Sequence, residues 1–140
     1  MRKRAREALA RVPLFASLPA RHLRRVADLC EEQRFMAGAT IVRAGDIGDT
    51  FYVILEGEAK VVGPSGRVLN RLYPGDFFGE ISLLDGGPRT ASVIAETPML
   101  MLALPRRAFR SLLESEPVVA GRVLKHVAGL LRRTERALTA

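Results

Sequence analysis

The sequence has very little cysteine and histidine, the residues on which covalent cross-links and most transition-metal sites depend. Its single cysteine, Cys30, excludes an internal disulfide framework and any multi-cysteine metal or cluster site. The two histidines, His22 and His126, fall near opposite ends of the chain. A cupin-like metalloenzyme needs about three clustered nitrogen or carboxylate ligands, and a haem sensor needs a placed axial ligand. We therefore expect no metal and no cofactor, and we predict that Cys30 is a buried helix residue.

Long hydrophobic runs are also missing. The longest uncharged apolar stretches, such as PMLMLALP at 98–105, are far shorter than the roughly 20 residues needed to cross a bilayer. Met1 is followed by RKRAR and not by an apolar segment, so no secretory signal is expected. With 140 residues, 48% of them hydrophobic and 26% charged, the chain is predicted to be one globular domain, 1–140, in the cytoplasm.

Positive charge is plentiful but unevenly distributed. The formal net charge is +7. Residues 1–25 hold eight basic residues and one acidic residue, and residues 106–140 hold eight basic and three acidic residues. The middle of the chain, residues 26–105, holds six basic and eleven acidic residues. We interpret the basic ends mainly as solvated helix faces. The alternative is a basic surface that binds nucleic acid through residues 1–25 and 122–136. We expect no DNA-binding domain, because a helix-turn-helix would need more chain after the last helix.

Helical periodicity marks the two ends of the chain, and strand signals mark the middle. The segments ARHLRRVADLCEE, RRAFRSLLESE and the long stretch that follows Pro117 repeat apolar residues every three or four positions. From about Gln33 to Leu104, short β-prone runs alternate with Gly and Pro turns. These runs are QRFM, TIVRAG, TFYVILEG, EAKVVG, RVLNRLY, TASVIAE and MLMLAL.

Many short strands at regular spacing predict a mainly β fold of the α+β class. We expect an antiparallel β-roll of the jelly-roll type with helices at both ends. The N-terminal helices are assigned to 1–31, the β-roll to 32–104 and the C-terminal helices to 105–140. Within the roll, GEISLL is the only stretch compatible with a short helix.

The segment FGEISLLDGGPRTASV, Phe78 to Val93, contains the charged groups that a ligand would need. A short helix beginning at Gly79 would present free backbone N–H groups, which bind anions. Arg89 lies among small and apolar residues, where a guanidinium requires an anionic partner and its planar fork fits a phosphate. Glu80 can accept hydrogen bonds from vicinal hydroxyls. The combination predicts a sugar phosphate, most simply a nucleotide; the alternative is a Glu80–Arg89 salt bridge in a ligand-free roll.

Two long motifs carry a resemblance to a known family. GDIGDTFYVILEGEAKVV at 45–62 and PGDFFGEISLLDGGPRTASV at 74–93 resemble the cyclic nucleotide-binding domains of kinase regulatory subunits, gated channels and the bacterial catabolite activator. The segment at 78–93 is similar to that family's phosphate-binding cassette, and the resemblance covers nearly the whole chain. It implies a regulatory sensor for cyclic AMP or cyclic GMP.

The resemblance also implies roles for individual residues. Arg89 would pair with the cyclic phosphate and Glu80 would accept the ribose 2′-hydroxyl. Thr90 stands where a hydroxyl can touch the phosphate or a syn guanine, so it does not decide the base. The wider set of ligand-binding candidates is Gly79, Glu80, Ile81, Ser82, Arg89, Thr90 and Ala91, and the candidates for a lid over the base are Leu130, Leu131, Arg132 and Arg133.

Several functional alternatives remain open at this point. No nucleophile–base pair or metal triad accompanies Glu80, so no catalytic residues and no enzymatic activity are predicted. A β-roll interaction module that binds no nucleotide is the second hypothesis, and the basic nucleic-acid binder is the third. The expected partners are a cyclic nucleotide and a fused or separate effector protein, and the apolar stripe of the last helix could serve a lid or a homodimer.

Overall fold

The computed structural model describes residues 2–12, 15–16, 18–79 and 86–139; for residues 2, 130 and 134–139 it describes the backbone alone. This part of the chain contains four helices and eight strands. In chain order they are α1 (Arg2–Arg11), α2 (Ala20–Leu29), β1 (Glu31–Phe35), β2 (Thr40–Val42), β3 (Thr50–Glu56), β4 (Ala59–Val62), β5 (Val68–Leu72), β6 (Phe77–Phe78), β7 (Ser92–Ala95), β8 (Met99–Pro105), α3 (Arg106–Ser115) and α4 (Pro117–Thr139).

The strands form two antiparallel sheets of four strands each. Their orders are β1-β8-β3-β6 and β2-β7-β4-β5. This arrangement, with helices before and after it, confirms the predicted α+β class and the β-roll. All seven predicted strands are present. The sequence did not predict β6, a two-residue strand that pairs with β3. The predicted short helix, GEISLL, spans residues 79–84, of which 80–84 lie outside the described residues, so this prediction is not tested.

The strand β3 separates two hydrophobic cores. Because successive side chains of a strand point to opposite faces, Phe51 and Val53 pack against the helices, while Tyr52 and Ile54 pack between the two sheets. Burial on both faces explains why TFYVILE and MLMLALP, the sequences of the paired strands β3 and β8, are almost entirely apolar.

Aromatic rings connect the helices to the roll. Phe51 stacks on Phe109 of α3 with centroids 5.2 Å apart, and Phe15 meets it edge-on at 6.3 Å. The ring of Phe77 lies 5.6 Å from that of Phe51 and 5.2 Å from the ring of His126 in α4. Both terminal helical regions therefore pack on one side of the same sheet.

A buried carboxylate joins α2 to the junction between α3 and α4. Glu116, between these two helices, is 7% exposed, and its Oε1 lies 2.5 Å from Nδ1 of His22. The two groups are close but poorly aligned for a hydrogen bond, so their attraction is that of an ion pair when the imidazole is protonated. Both histidines are thus packed against neighbouring elements rather than free on the helix surface.

Two further expectations concern the helices. Cys30 was predicted to lie within a helix, and that prediction is wrong: it follows the last residue of α2 in an extended conformation and is half-buried. The helix ends there because β1 begins at the next residue. Among the described helices, none combines the length and the apolar character that a membrane crossing requires.

Candidate ligand-binding site

Backbone hydrogen bonds fix Arg89 against a neighbouring loop. Its N–H donates to the carbonyl of Asp46 over 2.7 Å, and its own carbonyl accepts from the N–H of Gly45 over 2.9 Å. The side chain is buried with 8% exposure, and its Nη2 donates to the carbonyl oxygen of Thr50 over 2.8 Å. The guanidinium therefore has a fixed position before any ligand is considered.

Gly79 allows the guanidinium of Arg89 to occupy this position. The glycine has a φ of +100°, a conformation that residues with a side chain rarely adopt. A Cβ at this position would lie 2.6 Å from Nη1 of Arg89 and 2.7 Å from the carbonyl oxygen of Thr50. Glycine is therefore required twice, once by the backbone angle and once by the close approach of the arginine.

Arg89 lines a cavity of about 220 Å³ beside the roll. Its other walls come from β2, from the loop before β3 and from Tyr52, whose ring stacks on Phe78 at 5.1 Å. Burial raises the pKa of the Tyr52 hydroxyl, and the positive charge of Arg89 opposes that rise. The full lining is Thr40, Ile41, Val42, Arg43, Asp46, Ile47, Asp49, Tyr52 and Arg89.

Sequence reasoning missed the lining residues outside the cassette. Asp46 and Asp49 stand in the turn GDIGD, and both line the cavity with Arg89. The Oδ1 of Asp49 also accepts a hydrogen bond from the hydroxyl of Thr50 over 3.0 Å. The turn pattern alone does not place these carboxylates at the cavity, because that position depends on the pairing of this loop with Arg89.

The structure describes only some of the remaining cassette candidates. Glu80, Ile81 and Ser82 lie outside the described residues. Thr90 is exposed and Ala91 is half-buried, at the start of the chain segment that enters β7. The structure thus brings Gly79 and Arg89 together, while the ligand-binding roles of the other candidates remain predictions.

A second arginine, Arg106, lies against Gly86 of the cassette. Gly86 has a φ of +71°, and a Cβ there would lie 2.8 Å from Nη2 of Arg106. Arg106 begins α3, and its backbone N–H donates to the carbonyl of Asp49 over 2.8 Å. Its Nε is buried with no hydrogen-bond partner among the described residues. The same residue thus touches the cassette, the loop at the cavity and the C-terminal helices.

Three of the four lid candidates are exposed on α4. Leu131 is 64% exposed, Arg132 and Arg133 are also exposed, and the side chain of Leu130 is outside the described part. The helix packs instead through Val119 and Val123, which are buried. A lid made of these residues therefore stays a prediction.

Comparison with known proteins identifies the family. Residues 32–116 match the family model described as the cyclic nucleotide-binding domain. This match covers more than half of the chain, so the protein belongs to that family. The resemblance stated from the two sequence motifs is thereby confirmed.

Individual relatives agree with this assignment. The chain is 36% identical, over 96% of its length, to the cAMP-dependent protein kinase regulatory subunit of Colletotrichum orbiculare, and it spans 32% of that relative. The catabolite activator protein of Thermus thermophilus superposes with a TM-score of 0.83 and 31% identity, over 91% of this chain and 62% of that one. The regulatory domain of protein kinase A from Toxoplasma gondii, crystallised with cAMP, superposes with a TM-score of 0.80 and 31% identity. That match covers 91% of this chain and 50% of the other.

Proposed function

We propose that this chain binds a cyclic nucleoside monophosphate and that Arg89 holds the cyclic phosphate. The observation that carries the proposal is the buried guanidinium of Arg89, positioned over Gly79 at the wall of a cavity. An arginine fork donates two parallel hydrogen bonds to a phosphate, and the low exposure of the site strengthens that interaction. The relative crystallised with cAMP is 31% identical to this chain and supports the ligand class.

The other cassette residues complete the proposed site. Glu80 would accept the ribose 2′-hydroxyl, and the backbone from Gly79 to Ser82 would donate to sugar and phosphate. The cavity of about 220 Å³ is smaller than the roughly 300–1,000 Å³ of most small-molecule pockets. It would therefore receive the ribose and phosphate, with the base projecting toward Thr90 or α4.

We propose a regulatory role without catalysis, in one domain spanning 1–140. The relative from Colletotrichum orbiculare is named a regulatory subunit. Binding would be read out by movement of α3 and α4, which would then act on a fused or separate effector. Phe77 offers a route for this coupling, because it lies two residues before Gly79 and its ring contacts His126. The free energy available to such coupling is typically ~1–3 kcal/mol.

Isothermal titration with cyclic AMP and cyclic GMP tests binding, after any co-purified nucleotide has been removed. Replacing Arg89 by Ala should cost about 2–5 kcal/mol, a loss of roughly 30-fold or more in affinity. Arg89→Lys keeps the charge without the planar fork and should retain part of the affinity. Arg67→Ala, at an exposed position, is the matched control and should bind like the wild type.

The outcomes of that titration are distinct. Tight binding that Arg89→Ala removes supports the sensor, and the ratio of the two affinities identifies the base. A folded, ligand-free protein that gives no heat with either nucleotide would instead favour the interaction module without nucleotide.

Hydrogen exchange with and without the ligand tests the regulatory movement. We expect cyclic nucleotide to change exchange rates in residues 106–139 as well as in the cassette. Replacing His126 by Leu should weaken the change in α4 while leaving the affinity within a few-fold of the wild type. Identical exchange after residue 105 in both states would contradict the switch but not the binding.

A further inference from the structure

Two surface cavities adjoin along helix α3. Their volumes are about 530 and 470 Å³, and they share Arg107 and Ser111 in their walls. Because both cavities use these residues, they form one elongated depression, the α2–α3 groove. Its remaining lining is Arg106, Arg110 and Glu114 on one side, and Arg25, Leu29, Pro105 and Ala108 on the other.

The groove carries an excess of positive charge. Among the residues that the structure describes, four arginines and one glutamate line it. Within the described part of the chain, the exposed Arg25, Arg107 and Arg110 form no ion pair. Two exposed arginines outside the groove do have acidic partners: Arg4 pairs with Glu56 and Arg71 with Glu96. The groove therefore offers cations whose charge is available to an acidic partner.

An apolar floor accompanies these charges. Leu29 at the end of α2 is 37% exposed, Pro105 is exposed and Ala108 is half-buried. None of the described residues that line the groove is aromatic, so they offer no surface on which single-stranded nucleic acids could stack their bases. Phosphate binding alone would need no apolar floor. A peptide that carries both carboxylates and aliphatic side chains satisfies both features.

We propose that the α2–α3 groove docks an acidic segment of a partner protein, with one or two aliphatic side chains on the floor and carboxylates against Arg25, Arg107 and Arg110. The proposal does not depend on nucleotide binding, because none of these three arginines lines the cavity at Arg89. Arg106 does connect the groove to the cassette through Gly86, so a docked partner would be in contact with the ligand-binding region.

Nuclear magnetic resonance titration of the full chain tests this proposal. The probe is a synthetic glutamate-rich peptide with two leucines one helical turn apart, and its companion has serine in place of both leucines. We expect the leucine peptide to shift amide signals of α2 and α3. The serine peptide should bind about tenfold more weakly, since it buries no aliphatic side chain.

A matched pair of triple variants separates the groove from overall charge. Each exposed pair contributes up to about 1 kcal/mol, so removing three should weaken the leucine peptide by about tenfold or more. The control loses the same charge from exposed positions elsewhere and should bind within twofold of the wild type. The groove variant combines Arg25→Gln, Arg107→Gln and Arg110→Gln; the control combines Arg11→Gln, Arg34→Gln and Arg67→Gln.

Other results would overturn the proposal. Equal weakening by the two triple variants would mean that only net charge attracts the peptide. Preferential binding of a DNA duplex or of phosphatidylserine vesicles, lost in the groove variant, would assign the surface to another class of partner. Circular dichroism verifies the fold of both triple variants, and Leu29→Ser tests the apolar floor without changing any charge.

Discussion

The guanidinium of Arg89 lies against the backbone of Gly79, so close that a methyl group on that glycine would be 2.6 Å from Nη1. The two residues are ten positions apart, one on each side of the cassette segment 80–88. Their contact positions a buried cation beside a cavity. The identity of residue 79 therefore controls the position of the residue proposed to bind the phosphate.

Replacing Gly79 by Ala should disturb both the fold and the site. The positive φ and the clash should together lower the free energy of unfolding by at least about 2 kcal/mol, and displacement of Arg89 should weaken nucleotide binding at least tenfold. Urea unfolding and titration measure the two effects. Gly66→Ala is the control, because Gly66 has a φ of +85° but no atom within 4 Å of an added Cβ. It should lose about 1 kcal/mol of stability and no affinity; equal behaviour of the two variants would contradict this account.

Arg106 should link the cassette to the C-terminal helices. Its guanidinium lies over Gly86 and its N–H binds the carbonyl of Asp49. Arg106→Met keeps the aliphatic stem and the backbone bond but removes the guanidinium. We expect the ligand-dependent change in hydrogen exchange of residues 106–139 to fall by half or more, with affinity reduced less than in Arg89→Ala. An unchanged exchange response would exclude the Arg106 side chain from the coupling, and Arg110→Met serves as the control on the same helix.

The contact between His22 and Glu116 should stabilise the packing of α2 on the junction of α3 and α4. Glu116→Ala should lower the free energy of unfolding by about 1–3 kcal/mol, less than for a fully buried pair because the His22 side chain is 30% exposed. Glu116→Gln, which keeps the size, should cost less. A double-mutant cycle with His22→Ala measures the coupling between the two residues. Additive effects of the two replacements would mean that their attraction contributes nothing.

The thiol of Cys30 should remain protonated to unusually high pH. Burial raises its pKa from 9.0 to about 12. Because the pKa of Cys30 is higher in the folded state than in the unfolded state, the protonated thiol makes its full contribution to the free energy of unfolding below pH 9. That contribution is lost as the pH rises from 9 toward 12. Ultraviolet absorbance of the thiolate should show no titration near pH 9 in the folded protein, but a clear one after unfolding in urea. Cys30→Ser provides the baseline, and a thiolate half-formed at pH 9 in the folded chain would contradict the prediction.

Much of the fold follows from patterns local to the chain. Seven strands were predicted because apolar β-prone runs such as TFYVILEG are separated by Gly and Pro turns, and these signals lie within a few residues of one another. The strand β6 was missed because two residues are too short to show periodicity, and it forms by pairing with Tyr52 and Val53 of β3. Cys30 was assigned to the helix because helical spacing does not reveal where β1 begins.

The sequence by itself determined the family and placed Gly79 and Arg89 among the ligand-binding candidates, since both belong to the continuous motif at 74–93. Only the tertiary structure decided what surrounds that motif. The order β1-β8-β3-β6 places Phe77 between Phe51 and His126, and the loop at Asp46 reaches Arg89 through backbone hydrogen bonds. The α2–α3 groove likewise joins Arg25 to Arg107, 82 positions apart. These contacts join residues that are distant along the chain, so no local pattern encodes them. The pairing of β2 with β7 brings the loop at Asp46 to Arg89, and the packing of both sets of helices on one sheet brings the other residues together.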